Sequence, residues 1–238
     1  MRQIIIFLSL FPLMLFSIEK NGFGENYYQL NIKEKQQVFF EKMNQMFDIS
    51  FGKLQKELEF VESFLKEGAK SGFRDLNPVQ FSRLIEIKNK YRVEKIFDLE
   101  DYQKRIGVIP KSMGIAQALV ESGTGTSRFA REANNLFGEW TWSEKGLTPN
   151  ARLEGKTHKI RIFDTLQESV DSYVLNLNRH AAYADFRKAR EEFAKQGKMI
   201  DGISAIQTLD KYSETGKHYI EVITKIIKKH NLEKYDYN

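Results

Sequence analysis

The sequence predicts a mainly α protein with one small β-hairpin lobe, preceded by an N-terminal helical extension. Three patterns predict it. Phe40, Met43, Phe47, Phe51, Leu54, Leu58, Val61 and Leu65 recur at three- and four-residue spacing, which puts them on one stripe of an amphipathic helix over 33–67. Met113 to Val120 is apolar nearly all round and runs into Glu121-Ser122-Gly123, the pattern of a buried helix stopped by glycine. Residues 139–163 alternate in Glu139-Trp140-Thr141-Trp142 and Lys159-Ile160-Arg161-Ile162-Phe163, with Gly146, Pro149 and Gly155 as turn residues.

In chain order, Arg2 precedes an apolar run from Ile4 to Phe16, and Ser17 is small. The run is shorter than the ~20 residues a bilayer span needs, so 1–17 reads as a secretory signal peptide cleaved after Ser17. Leu15 is bulkier than the usual residue at its position before the cut, which leaves an uncleaved anchor as the alternative. The helical extension is assigned to 18–89 and the main domain to 90–238. Gly52 is a site for a bend or break in the first helix, and Gly68 to Pro78 is a break. Residues 79–105 read as helical. Pro110 ends a short connector, and Ser112 is the expected cap of the next helix. A short helix over 126–133 leads to Asn134-Asn135-Leu136-Phe137-Gly138. After the lobe, helical patterning returns at 165–180, 182–196, 202–211 and 216–231.

Composition narrows the function. Hydrophobic residues are 41% of the 238 and aromatics 13%, so the chain can bury a core and is not disordered. Cysteine is absent, which excludes disulfide frameworks, thiol nucleophiles and zinc fingers. His158, His180, His218 and His230 form no helical pair, so no metal site is expected. No G-x-S-x-G elbow or phosphate-cradling loop occurs, and no cofactor is expected. The net charge of +5 suits an anionic partner. Lys225, Lys228 and Lys229 read as a solvated helix face, not a nucleic-acid site.

Glu121 breaks the surface logic of the other charged residues. At the end of an apolar helix its carboxyl is pushed towards the protonated form, by its setting and by the helix C-terminus. A carboxylic acid held protonated is what a glycosidic oxygen needs as its proton donor. From position alone, a solvated terminal glutamate explains it as well.

The run Met113 to Ser127, with Ala116-Gln117-Ala118-Leu119-Val120-Glu121-Ser122-Gly123-Thr124-Gly125 at its centre, resembles the catalytic helix and turn of lysozyme-like peptidoglycan hydrolases. Ala133-Asn134-Asn135-Leu136-Phe137-Gly138 resembles the next block of glycoside hydrolase family 73, the β-N-acetylglucosaminidases. Leu209-Asp210-Lys211-Tyr212-Ser213 and Tyr219-Ile220 are similar to that family's closing tyrosine block. Glu139 to Trp142 and His180 to Arg187 most resemble its Bax group of exported bacterial proteins. The resemblance implies a lysozyme-like helical domain with a β-lobe across a cleft. It also implies hydrolysis of the β-1,4 bond after N-acetylglucosamine in peptidoglycan glycan strands, with Glu121 as general acid.

Glycosidases commonly use a second carboxylate. Glu154, in the expected lobe beside Gly155, is the candidate, with Glu139 and Glu144 as rivals. The substrate's own N-acetyl oxygen is the other solution. By the resemblance Tyr212 lies near the cleft, its hydroxyl positioning a water or the acetamido group. Trp140 and Trp142, two apart, share one face of a strand, as sugar-stacking walls or as hairpin packing. Phe137, Tyr183 and Tyr219 are further candidates for the wall. Asn134 and Asn135 offer amides to N-acetyl groups, or to the turn itself. A lytic transglycosylase, and a non-catalytic wall-binding protein of the same fold, are the competing functions.

Overall fold

The computed structural model describes residues 22–149, 157–209, 212 and 216–236. The expected signal peptide and Glu154 lie outside the described residues.

A short helix α1 (Glu25–Gln29) leads into α2 (Ile32–Lys70), one continuous helix of 39 residues. Asn31 and Glu34 form a reciprocal capping box at its start. The helix runs unbroken through Gly52, the residue the sequence offers for a bend or break. A mid-helix glycine costs about 1 kcal/mol, and each large side chain of the stripe gains about 1.5–3 kcal/mol on burial. Phe40, Met43, Phe47, Leu54, Val61 and Leu65 are buried, and Phe51 and Leu58 pack against the same core.

The stretch read as one helix over 79–105 is two, α3 (Pro78–Tyr91) and α4 (Leu99–Arg105). Arg92 adopts the left-handed conformation (φ 57°), and the Val93 amide donates back to the Lys88 carbonyl, which closes α3. Asp98 then caps α4.

Helix α5 (Lys111–Ser122) is the centre of the body. Its N-cap is Pro110, not Ser112. Ser112 is fully buried, and its amide and hydroxyl both donate to the Asp236 carboxylate, tying the chain's end to this helix. Helix α6 (Arg128–Ala133), capped by Ser127, precedes the lobe. There β1 (Trp140–Thr141) pairs antiparallel with β2 (Lys159–Ile160), Trp140 opposite Ile160. Then come α7 (Leu166–Arg179), a 3₁₀ turn (Ala181–Tyr183), α8 (Ala184–Lys195), α9 (Gly202–Ile206) and α10 (Lys217–His230). Helix α9 stops five residues short of the expected 211, in a turn where the Thr208 hydroxyl donates to the Ala205 carbonyl.

The architecture is mainly α with a two-stranded lobe, as the sequence predicts. Helix α5 packs against α2, α9, α10 and the C-terminal 3₁₀ turn Leu232–Tyr235. Helix α2 also packs on α4 and α7, so the core runs without a gap across residue 90. Gly114 is the notch that permits this. A Cβ there would sit 2.3 Å from Cζ of Phe47. No described helix is long and apolar enough to cross a membrane.

Candidate active site

Glu121 lies on the last turn of α5. Gly123 takes a left-handed conformation (φ 56°), which an L side chain adopts at a cost, and the Thr124 amide then donates to the Leu119 carbonyl at 2.9 Å. The Ser122 hydroxyl bridges this turn, donating to the Ala118 carbonyl and accepting from the Gly125 amide. Tyr27 of α1 donates to the Thr124 carbonyl at 2.6 Å. The N-terminal segment therefore buttresses the turn that fixes the glutamate's direction.

A directed chain of hydrogen bonds ends on the carboxyl. The Tyr173 hydroxyl donates to Gln117 Oε1 (2.5 Å), Gln117 Nε2 donates to the Tyr219 hydroxyl (3.1 Å), and Tyr219 donates to Glu121 Oε1 (2.9 Å). Gln117 and Glu121 are one helical turn apart on α5, and Gln117 is fully buried. With Oε1 occupied as acceptor, the acid proton belongs on Oε2. That oxygen faces Gly138, 3.8 Å from where a Cβ would stand.

Burial raises the Glu121 pKa above the ordinary carboxylic value, and the Tyr219 hydrogen bond opposes only part of the rise. Among the described residues no salt bridge reaches Glu121. Burial first, and neighbouring tyrosines and Glu121 after it, hold Tyr173 and Tyr212 well above the usual phenol range. Tyr219 is raised too, by burial and then by Glu121. All three stay protonated at physiological pH, and Tyr173 and Tyr219 act as neutral donors.

The structure brings several of the sequence's candidates together around this chain. Tyr212 stacks on Tyr219 (ring centroids 5.6 Å apart), lies edge-on to Tyr173 and packs beside Tyr183. Phe137 is buried and stacks flat on Tyr173 at 3.9 Å. Trp140 and Trp142 stand on the lobe, 48% and 75% exposed, and Trp140 stacks on the His158 ring.

Asn134 and Asn135 are buried, and their amides are engaged with backbone. Asn134 Oδ1 accepts from the Gly22 amide, while its Nδ2 donates to the Phe163 and Asp164 carbonyls. Asn135 donates to the Glu139 and Arg161 carbonyls and accepts from the Glu139 amide. They close the base of the lobe, which is the turn role that the sequence offers as the alternative to sugar binding. Glu139 is held by Arg161 and by the Ser172 hydroxyl, at 2.5 and 2.7 Å. Glu144 is exposed on the lobe.

Sequence reasoning missed two residues of the hydrogen-bonded chain. Gln117 carried a signal, a lone amide inside an apolar helix one turn before Glu121. Tyr173 carried none, since a tyrosine on an amphipathic helix is ordinary core.

Residues 97–232 match the Glucosaminidase family, described as mannosyl-glycoprotein endo-beta-N-acetylglucosaminidase. The chain is 37% identical over 148 residues to Protein bax of Escherichia coli (strain K12), covering 60% of this chain and 53% of that one. It is 31% identical over 141 residues to the exo-glucosaminidase LytG of Bacillus subtilis (strain 168), covering 54% and 46%. The chain thus spans about half the length of these curated relatives. Among solved structures it is similar to the catalytic domain of the autolysin Auto from Listeria monocytogenes, with TM-score 0.41 and 19% identity over 74% of this chain and 88% of that one. The family match takes in more than half of the residues, including Glu121, Tyr173, Tyr212 and Tyr219, and by it the chain belongs to the glucosaminidase family.

Proposed function

We propose that the chain is an exported peptidoglycan hydrolase, an endo-β-N-acetylglucosaminidase that cuts the β-1,4 bond after N-acetylglucosamine with Glu121 as general acid. One observation carries this reading. Glu121 is a partly buried carboxyl with a raised pKa whose described partner is a hydroxyl, not a cation. A structural glutamate in such a setting is ordinarily paired with Lys or Arg.

In the proposed reaction Glu121 Oε2 gives its proton to the glycosidic oxygen as the bond from C1 to that oxygen breaks. Water then adds to C1, and its proton returns to the carboxylate. The tyrosine chain keeps Oε1 occupied and so aims the proton. Tyr212, packed against Tyr219 and Tyr173, is proposed to position the acetamido group or the attacking water. Tyr183 and Tyr219, which pack beside it, and Phe137, which stacks on Tyr173, are proposed as the floor, and Trp140 and Trp142 as the lobe-side wall. Positive charge at C1 is stabilised either by Glu154 or by the substrate's acetamido oxygen.

Two further readings share the site. A lytic transglycosylase cleaves after N-acetylmuramic acid and leaves an anhydro end. A wall-binding protein cleaves nothing. Mass spectrometry of digested peptidoglycan separates them. Reducing N-acetylglucosamine ends are expected, and anhydromuramic ends or intact strands would overturn the reading. Internal cuts in long strands would distinguish endo from exo action.

A further inference from the structure

Helices α2, α3 and α7 and the chain just after β2 line a hollow of about 340 Å³. Its wall is rich in cations: Lys53, Lys90, Arg161 and Arg179. Three of these are matched. Lys53 pairs with Asp171, Lys90 with Glu57, and Arg161 with Glu139. Glu168, also in the wall, receives the Asp164 amide at the start of α7. Arg179, on the last turn of α7, has no salt-bridge partner among the described residues. It is partly buried, and Arg92 and Arg161 are close enough to repel its charge, with Glu139 as the opposing anion.

Of these three arginines only Arg161 has a salt bridge among the described residues, and like charges gathered around Arg179 are unfavourable unless an anion joins them. The hollow is linked to the tyrosine cluster through Glu139 and through α7. Arg161 and Ser172 from the hollow both hold Glu139, whose charge reaches Tyr183, which packs on Tyr212. Helix α7 presents Tyr173 to the Glu121 site and Ser172 and Arg179 to the hollow.

Resting on the glucosaminidase reading, we propose that this hollow binds a carboxylate carried on the lactyl branch of the muramic acid unit, with Arg179 as its chief ligand and Arg92 beside it. A muramyl unit necessarily flanks the N-acetylglucosamine at the cleavage point, and its branch is the anionic part of the strand. The carboxylate has two sources. On a strand with stem peptides it is a peptide carboxylate, and on a strand stripped of peptides it is the lactyl acid itself. Arg179 would then set the preference for peptidoglycan over uncharged N-acetylglucosamine polymers.

The test compares wild type, Arg179→Gln and Arg179→Lys on three substrates: N-acetylglucosamine oligomers, stripped glycan strands and strands with intact stems. Loss of one charge-assisted contact of this kind predicts a rise in KM of about tenfold for Arg179→Gln. The rise is expected on stripped strands, on stem-bearing strands or on both, which identifies the source, with kcat little changed and the oligomer KM unaltered. Arg179→Lys keeps the charge but not the fork, and should lie between. Melting temperatures close to wild type are expected, because Arg179 holds no ion pair. If wild type cuts all three and Arg179→Gln shifts none, or shifts all alike, this proposal falls while the hydrolase reading stands. If wild type cuts none, both fall.

Discussion

A carboxyl that must give up a proton near neutral pH has to be uncomfortable as an anion, and Glu121 is. The folded state holds the proton more tightly than the unfolded chain does. Its contribution to stability is therefore complete below the unfolded-state pKa and is lost as pH rises through the raised folded-state value. Two outcomes follow. Glu121→Gln should lower kcat by about 10²–10⁴-fold, and retention of more than about a tenth of wild-type activity would refute the assignment. The same variant should melt at or above the wild-type temperature at neutral pH, with the difference closing in acid, as thermal scans across pH would show. Tyr219→Phe removes the hydrogen bond that lowers the Glu121 pKa. The alkaline limb of the pH–activity profile should move to higher pH in that variant. A shift to lower pH would contradict the donor role.

Between elements, the decisive contact is α2 against α5 at Gly114. Gly114→Ala would bring its methyl into the Phe47 ring, and overpacking of this kind costs about 1–3 kcal/mol. Denaturant titration should show a lower midpoint, and Gly114→Ala combined with Phe47→Leu should recover part of it. The lobe behaves differently, because its tryptophans face solvent. Trp142→Ala opens no cavity, so its melting temperature should stay near wild type. A lost sugar-stacking contact of about 0.5–1.5 kcal/mol predicts a rise in KM of about two- to tenfold. An unchanged KM on glycan strands would remove Trp142 from the proposed wall.

At the scale of the whole molecule, the long α2 is part of the body that carries α5 and Glu121. Its stripe buries Phe40, Met43, Phe47, Leu54, Val61 and Leu65 in the core shared with α5 and α7. The segment before it closes the site's own turn through Tyr27 on Thr124, and braces the base of the lobe through Gly22 on Asn134. A chain begun at residue 78 loses both, and is expected to melt much lower or to aggregate even though it keeps all of the family match. Equal melting temperature and a monodisperse species would show instead that α2 is dispensable. The cations lining the hollow belong to this scale too, since Lys53, Lys90 and Arg179 come from α2, α3 and α7 and Arg161 from the chain after β2, and they meet only in the folded chain.

The sequence by itself determined the mainly α class, the stripe of α2, the glycine stop after Glu121 and the lobe between α6 and α7. Those features are local, since helical spacing, a left-handed stop and alternation are properties of neighbouring residues. The resemblance also pointed to Glu121, Tyr212 and Tyr219. Tertiary structure alone decided what surrounds them. No local pattern pairs Gln117 with Tyr173, or aims Tyr219 at one particular oxygen, because those partners lie 56 and 98 residues apart. Nor does a dipeptide such as Asn134-Asn135 reveal whether its amides face a sugar or a carbonyl. That depends on which unpaired backbone groups the folded lobe leaves beside them, and buried carbonyls without partners are costly enough to claim the amides first.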